Sequence, residues 1–371
     1  KYVDERTWIA SDRGSFWTKL RARNPNYQFR ALRVLTGYLE DGAFIANNFK
    51  TRNYVIEKMD VTSGKCTITG KDPLKLASAK KAQVPAPSTG ILLADITAGV
   101  GTATLTPAGV GNSEYAASGF INIGSEVVSF TRVADDLDIT RGLKGTTASA
   151  HSAGDAVQEC YVSNAEVNII IKDILTNFAT IDPIYINDAA WQLEVDTYLN
   201  GLLDGIITKP TDVNKIFKEL SEAKPLYIYW DELNQTINLE ALKAPPTSAN
   251  VVDMDSGIVS DSFKTKDLPK LRASTVYVTF GQVDPTKPLT ELSNYTQTVT
   301  RVDSDSITKF GNNQVKNIVS RWINSGNKPA AENAAQLVGR RFSDIPREVN
   351  FSLEAKDSEL LIGQTRSVNH R

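Results

Sequence analysis

The stretch Trp8-Ile9-Ala10-Ser11-Asp12-Arg13-Gly14-Ser15-Phe16-Trp17-Thr18-Lys19-Leu20-Arg21-Ala22-Arg23-Asn24-Pro25-Asn26-Tyr27-Gln28 sets two tryptophans, a phenylalanine and a tyrosine among four basic residues. Gly14 and Pro25 act as breaks. Aromatics in a basic groove suit single-stranded nucleic acid, whose bases stack on them, but no RNA-binding signature accompanies the run. Arg with aromatics is also the composition of an interface core. On that basis Trp8, Phe16 and Trp17 are expected as buried anchors, and Arg13, Arg21 and Arg23 as partners of carboxylates on a neighbouring subunit. Tyr27 completes the set of interface candidates.

Outward from this run, strand signals dominate the first 83 residues. Residues 27–39 alternate in part, with Phe29, Ala31 and Val34 apolar and Gly37 as an interruption. Residues 53–57 and 66–69 flank Thr62-Ser63-Gly64-Lys65 and predict a hairpin with glycine at its turn. Val84-Pro85-Ala86-Pro87-Ser88-Thr89-Gly90 has the composition of a stiff linker. Residues 91–160 are rich in Gly, Ala and Thr, with short β runs between turn residues, as in a small all-β unit. The abrupt shifts at both ends suggest an insertion, so residues near 84 and 160 are expected to lie close together.

Helical spacing follows. Val167, Ile170, Ile171, Ile174, Leu175 and Phe178 make one apolar stripe, for which Ser163 or Asn164 is the expected cap. A second helix is expected from Asn187 or Asp188, with Trp191, Val195, Tyr198 and Leu199 on one side. A third follows Pro210-Thr211, with Val213, Ile216, Phe217 and Leu220 inward. Strands are expected at 226–230, 236–242, 275–280 and around 349–353, with one helix after Pro329 and a boundary at 244–248. The expected class is α+β with segregated elements, divided as 1–83, 84–160, 161–246 and 247–371.

Composition excludes much. The net charge of −2 gives no whole-chain case for nucleic acid or an anionic membrane, although residues 1–83 hold 16 Lys/Arg against 8 Asp/Glu. Two cysteines, Cys66 and Cys160, exclude a disulfide-dense scaffold and a four-cysteine zinc site within this chain. No run approaches the ~18 apolar residues of a membrane helix. The start at Lys1 without methionine and the stop after strand-like sequence are expected of a piece of a longer polypeptide. The glycines at 99, 101, 109 and 111 fail as a phosphate loop, because Thr104 and Glu114 stand where the third glycine belongs. His151, with Ser152 and Asp155 nearby, lacks a spatial arrangement for nucleophilic catalysis and is expected in a turn, bonded to backbone. Asp135, Asp136 and Asp138 have the hard oxygens for calcium, against the simpler expectation of a solvated turn. With 43 acidic residues, a carboxylate pair at glycosidase separation is guaranteed and uninformative.

Residues 12–28 closely resemble a segment near the start of baseplate-hub proteins of long-tailed bacteriophages, and Lys71-Asp72-Pro73-Leu74-Lys75-Leu76 matches what that family shows after a hairpin. A second resemblance lies in Gly119-Phe120-Ile121-Asn122-Ile123-Gly124-Ser125-Glu126, Thr140-Arg141-Gly142-Leu143-Lys144-Gly145-Thr146-Thr147 and Ala150-His151-Ser152-Ala153-Gly154-Asp155. These are similar to a small β module common in phage tail proteins. The helical middle and Phe351-Ser352-Leu353-Glu354-Ala355-Lys356-Asp357 are consistent with the hub family. The resemblance implies a structural virion protein without catalytic residues or cofactor, forming a homotrimeric hub at the tail tip. Such a hub has two tube-like β domains, at 1–83 and 247–371, and an α/β middle domain. It closes the tail tube, meets the distal tail and tape-measure proteins, attaches to the host and opens for DNA ejection. Assembly in the host cytoplasm implies reduced Cys66 and Cys160. Virion-borne binding or cleavage of cell-wall glycans is the alternative.

Overall fold

Over the described residues strands outnumber helices, and the two are segregated rather than alternating as βαβ units, so the class is β-rich α+β. The computed structural model describes residues 15–62, 65–78, 82–243, 251–253, 257–259, 261–353, 362–363 and 365–369. Trp8, Arg13, the turn residues Ser63 and Gly64, and the expected boundary at 244–248 lie outside them. The chain divides into two compact units, Lys1–Leu76 with Tyr229–Asn238, and Ala77–Ile228 with Leu239–Arg371.

The first unit begins with helix α1 (Phe16–Arg23), followed by strands β1 (Ala31–Gly37), β2 (Phe49–Thr62) and β3 (Lys65–Lys71). They form an antiparallel meander in the order β1-β2-β3, with Ala31 opposite Val55, Gly37 opposite Phe49, and Thr62 opposite Lys65. The hairpin is therefore much longer than the residues that signalled it, and its pairing slips between Ile56 and Lys58, a β-bulge. Gly37 is the last residue of β1, and a Cβ there would sit 2.6 Å from the Asn48 carbonyl oxygen. After β3, the Asp72 carboxylate accepts from the Leu74 N–H (2.6 Å), and Pro73 opens a short 3-10 helix. The tip at 229–238 completes the unit. Trp230 Nε1 donates to the Asn53 carbonyl (2.8 Å), and the Asn53 N–H donates to that of Glu232 (2.9 Å).

The second unit opens with β4 (Gln83–Val84), paired with Thr211–Asp212. Then β5 (Ile91–Leu92), β6 (Thr102–Thr106), β7 (Ser118–Ile123), β8 (Glu126–Val133), β9 (Asp136–Leu143) and β10 (Val157–Glu159) build one sheet in the order β10-β7-β8-β9-β6-β5, with helix α2 (Val110–Glu114) beside it. Ile121, Ile123, Val128, Phe130, Leu137 and Ile139 fill its core with Tyr115, whose ring meets Phe130 edge-on at 6.4 Å. Each such side chain contributes about 1.5–3 kcal/mol on burial. Gln158 Nε2 donates to the Ala86 carbonyl (2.9 Å), and the Glu159 N–H donates to Ser88 Oγ (3.1 Å). The two ends of this segment therefore lie side by side, as expected.

A strand–helix–helix–strand layer follows: β11 (Tyr161–Ala165), α3 (Val167–Asp173), α4 (Asp188–Glu194) and β12 (Leu203–Ile207), with the two strands antiparallel. Each helix ends in five residues of π-helix, Ile174–Phe178 and Val195–Leu199. Val167, Ile170, Ile171, Ile174 and Leu175 are buried as a stripe. The expected caps are corrected: Ser163 and Asn164 belong to β11, opposite Gly205 and Asp204, and Glu166 holds the cap position, its carboxylate accepting from Gln192 Nε2 (2.8 Å) rather than from the helix backbone. Asn187 does cap α4, accepting from the Ala190 N–H (3.1 Å). Trp191, Val195 and Leu199 point inward, but Tyr198 is 47% exposed. The π turn, closed i→i+5, keeps every fourth residue in line and swings Tyr198 out.

Next come β13 (Thr211–Asp212), α5 (Val213–Ala223), β14 (Leu226–Asp231) and β15 (Thr236–Ala241). Val213, Ile216 and Leu220 are buried on α5, with Phe217 half-buried. Beyond residue 250 lie β16 (Val251–Asp253), β17 (Lys264–Asp267), β18 (Thr275–Gln282), β19 (Tyr295–Val302), α6 (Ser304–Phe310), β20 (Val315–Val319), α7 (Lys328–Arg341), β21 (Arg347–Asn350) and β22 (Ser367–Asn369). A mixed sheet β19-β18-β20 carries α7, whose Ala331, Ala334, Ala335 and Val338 are the buried stripe. The sequence carried no expectation of α6. Trp322, fully buried, packs its ring on Gly205 of β12, where a Cβ would come within 2.6 Å of it. That contact joins the helical layer to the last sheet inside the second unit.

Candidate interface surface

α1 is short and well terminated. Ser15 Oγ accepts from the Thr18 N–H (3.4 Å), Asn24 Nδ2 donates to the Leu20 carbonyl (2.9 Å), and Pro25 follows. Arg21 and Arg23 fall in its last turn, where positive charge suits the helix dipole. No residue of α1 is buried: Phe16 is 69% exposed, with the Trp17 ring edge-on to it at 5.0 Å, and Trp17 and Tyr27 are half-buried. The expectation that Phe16 is buried therefore fails within the single chain. Among the described residues nothing covers it.

Exposure continues through the strand that follows. β1 is the edge of its meander, and among the described residues its outer side has no pairing partner. Val34 and Leu35 are adjacent, so their side chains point to opposite faces, yet they are 41% and 42% exposed. Among the described residues neither face of the strand is fully covered. The connection to β2 adds Tyr38, Leu39, Phe44 and Ile45, all exposed. Sequence reasoning picked residues 16–27 through their aromatic-basic pattern and missed 34–45. A run of apolar residues at 29–45 with so few polar alternates was the available signal.

The other candidates resolve into structural roles. His151 is corrected. Its side chain does not bond to backbone; Nε2 lies 2.9 Å from Glu126 Oε2, inside the six-stranded sheet. Glu126 is fully buried and also receives Arg141 Nε and Nη2 and the N–H groups of Gly142 and Ser149. Burial pushes its carboxyl pKa up, but those donors more than offset it and hold it at about 2. The three pieces of the module pattern, around 126, 141 and 151, thus meet in one charged core site. Asp135 accepts from the N–H groups of Gly109 (2.6 Å) and Gly111 (2.8 Å), which holds its carboxyl below the ordinary range. The Gly109–Gly111 amides that a phosphate would need are occupied by that carboxylate. Asp136 accepts from Thr104 Oγ1 (2.8 Å), and no group of three His, Cys, Asp or Glu side chains is gathered as for a metal among the described residues. Cys66 and Cys160 are free thiols; burial pushes that of Cys160 up to about 12.

No protein-family model and no curated protein matches the chain. Among solved structures it is similar to a prophage MuSo2 43 kDa tail protein from Shewanella oneidensis, at 10% identity and a TM-score of 0.35, over 85% of this chain and 88% of that one. It is also similar to the prophage tail protein gp18 from Listeria monocytogenes EGD-e, at 8% identity and a TM-score of 0.24, over 69% of each chain.

Proposed function

We propose that this chain is a structural protein of a phage particle, a homotrimeric hub at the tail tip. It closes the tail tube, joins the distal tail and tape-measure proteins, and rearranges to release DNA. No residue is assigned to catalysis. The observation that carries this reading is β1, an edge strand with apolar residues uncovered on both faces. Such an edge is a liability in a free monomer, and a neighbouring subunit removes it. The resemblance of residues 12–28 to hub proteins names the assembly. In this reading 1–83 and 247–371 are the two tube-like β domains, 84–160 an inserted module and 161–246 the middle domain. Trp8, Arg13, Phe16, Trp17, Arg21, Arg23 and Tyr27 lie in the contact between subunits. Three chains with two such domains each offer six units to a sixfold tube. The test is to image a tail tip at a resolution that traces this chain. Three copies around the tube axis, with residues 16–45 between subunits, are expected; a single copy, or these residues facing solvent, overturns the assignment.

A further inference from the structure

Asn200-Gly201 is the only Asn-Gly step in the chain, and it joins the π-helical end of α4 to β12. Asn200 is exposed, and its side-chain amide has no hydrogen-bond partner among the described residues. Gly201 has φ +93°, a conformation that favours glycine, and its N–H donates to no acceptor among the described residues. Neither reacting group is therefore held elsewhere. The third participant is Lys224, the C-cap of α5, which is only 3% exposed. Its ammonium donates to the Asn200 main-chain carbonyl at 2.6 Å. The same ammonium flanks Gly201, since a Cβ built there would lie 3.6 Å from Nζ.

Glycine leaves its backbone nitrogen open to close approach, because no Cβ shields it. When the Gly201 nitrogen gives its proton to solvent, the negative charge spreads onto the Asn200 carbonyl oxygen, the atom that Lys224 holds. A cation fixed where charge develops lowers the barrier. The nitrogen then bonds to Asn200 Cγ, the Cγ–Nδ2 bond breaks, and ammonia leaves with a proton from water, closing a five-membered imide. A second water opens the imide at one carbonyl to give aspartate or at the other to give isoaspartate. We propose that Asn200-Gly201 is a spontaneous deamidation site, with Lys224 as its positioning residue. Asn112 and Asn324 precede serine, the next least hindered neighbour, but both side chains are held. Asn112 Oδ1 accepts from Arg132 Nη1 (2.6 Å) within α2, and Asn324 Oδ1 accepts from the Gly326 N–H (3.0 Å). The product carboxylate at position 200 would stand beside an ammonium whose pKa burial now pulls down, with Glu166 opposing, and would pull it back up. The site does not depend on the hub assembly.

The whole chain is incubated in warm buffer at pH 8 and mapped by proteolysis and mass spectrometry, with a free peptide of residues 198–202 as the comparison. Conversion of Asn200 is expected ahead of Asn112 and Asn324, at least as fast as in the peptide. Lys224→Met should slow it about tenfold, the worth of one hydrogen bond to a charged group. Lys224→Arg keeps a cationic donor and should recover part of the rate, which a purely structural role for the side chain would not predict. Thermal unfolding establishes that each variant is folded, and the peptide comparison decides without any variant. No conversion at Asn200, conversion slower than in the peptide, or an unchanged rate in folded Lys224→Met overturns the proposal.

Discussion

Arg141 grips Glu126 with two parallel hydrogen bonds, Nε to Oε1 at 2.8 Å and Nη2 to Oε2 at 2.7 Å, inside a sheet where the Glu126 side chain has no exposure at all. A buried carboxylate is tolerated only with such company. Replacing one member strands the other, so Arg141→Met is expected to cost about 3–5 kcal/mol. Replacing both, as Glu126→Leu with Arg141→Met, should cost less than the two single changes added together. Urea unfolding of the three variants measures this; simple additivity would mean that the pair is not coupled.

The same carboxylate sets an acid limit. Its folded pKa of about 2 lies below the ordinary value of 4.5, so the folded state binds the proton less readily than the unfolded one. The stabilisation is complete above about pH 4.5 and fades as the pH falls toward 2, amounting to about 3 kcal/mol. Denaturant midpoints between pH 6 and 2.5 should fall faster for the unaltered protein than for Glu126→Gln. Equal slopes would refute the linkage.

How far these arrangements were legible in the sequence depends on their range. The stripe from Val167 to Leu175 and the Asn187 cap were readable because helix periodicity and capping are local. Ser163 and Asn164 carried the right chemistry for a cap but were claimed by the pairing of β11 with β12, a contact about 40 residues away. His151 followed the same rule. Its neighbours suggested a turn, but its partner Glu126 is 25 positions distant. For the proposed interface, the aromatic-basic composition pointed to Phe16 and Trp17, whereas the exposure of Val34 and Leu35 depends on β1 lying at the edge of its sheet.

Gly145 and Gly154 separate two reasons for glycine. Both have positive φ, +77° and +88°, which costs a side-chain-bearing residue on the order of 1 kcal/mol. At Gly154 the space that a Cβ would take is open, but at Gly145 that atom would overlap the Val283 carbonyl oxygen. Gly154→Ala should therefore cost about 1 kcal/mol, and Gly145→Ala at least about 1 kcal/mol more. Thermal unfolding of both decides; equal losses would mean that the 145 turn moves away freely.

The two thiols should differ in reactivity. Cys160 is buried and its pKa is pushed up to about 12, whereas Cys66 is half-buried. The thiolate is the reactive form, so brief alkylation of the native protein at pH 8 should label Cys66 first, with both labelled after denaturation. Intact-mass measurement shows the order. Labelling of Cys160 first would contradict its burial.

Val34 and Leu35 give the sharpest test of assembly, because among the described residues both stay 41–42% exposed on opposite faces of an edge strand. Neighbouring residues on a strand face opposite ways, so a partner that covered only one face would leave the other wet. If subunits of a trimer enclose β1, both positions lose water on assembly, and a charge placed at either is buried on association but not on folding. Val34→Glu with Leu35→Glu should then leave the unfolding midpoint of the isolated chain within about 0.5 kcal/mol of its original stability, since both sites are partly exposed there. The same pair should abolish assembly, since an unpaired buried charge costs several kcal/mol at each of three contacts. Light scattering after gel filtration reads the outcome, with three times the 40.6 kDa chain mass expected before substitution and one times after. A trimer that survives both glutamates would show that β1 faces solvent in the particle, and a variant that fails to fold would show that these residues belong to the chain's own core.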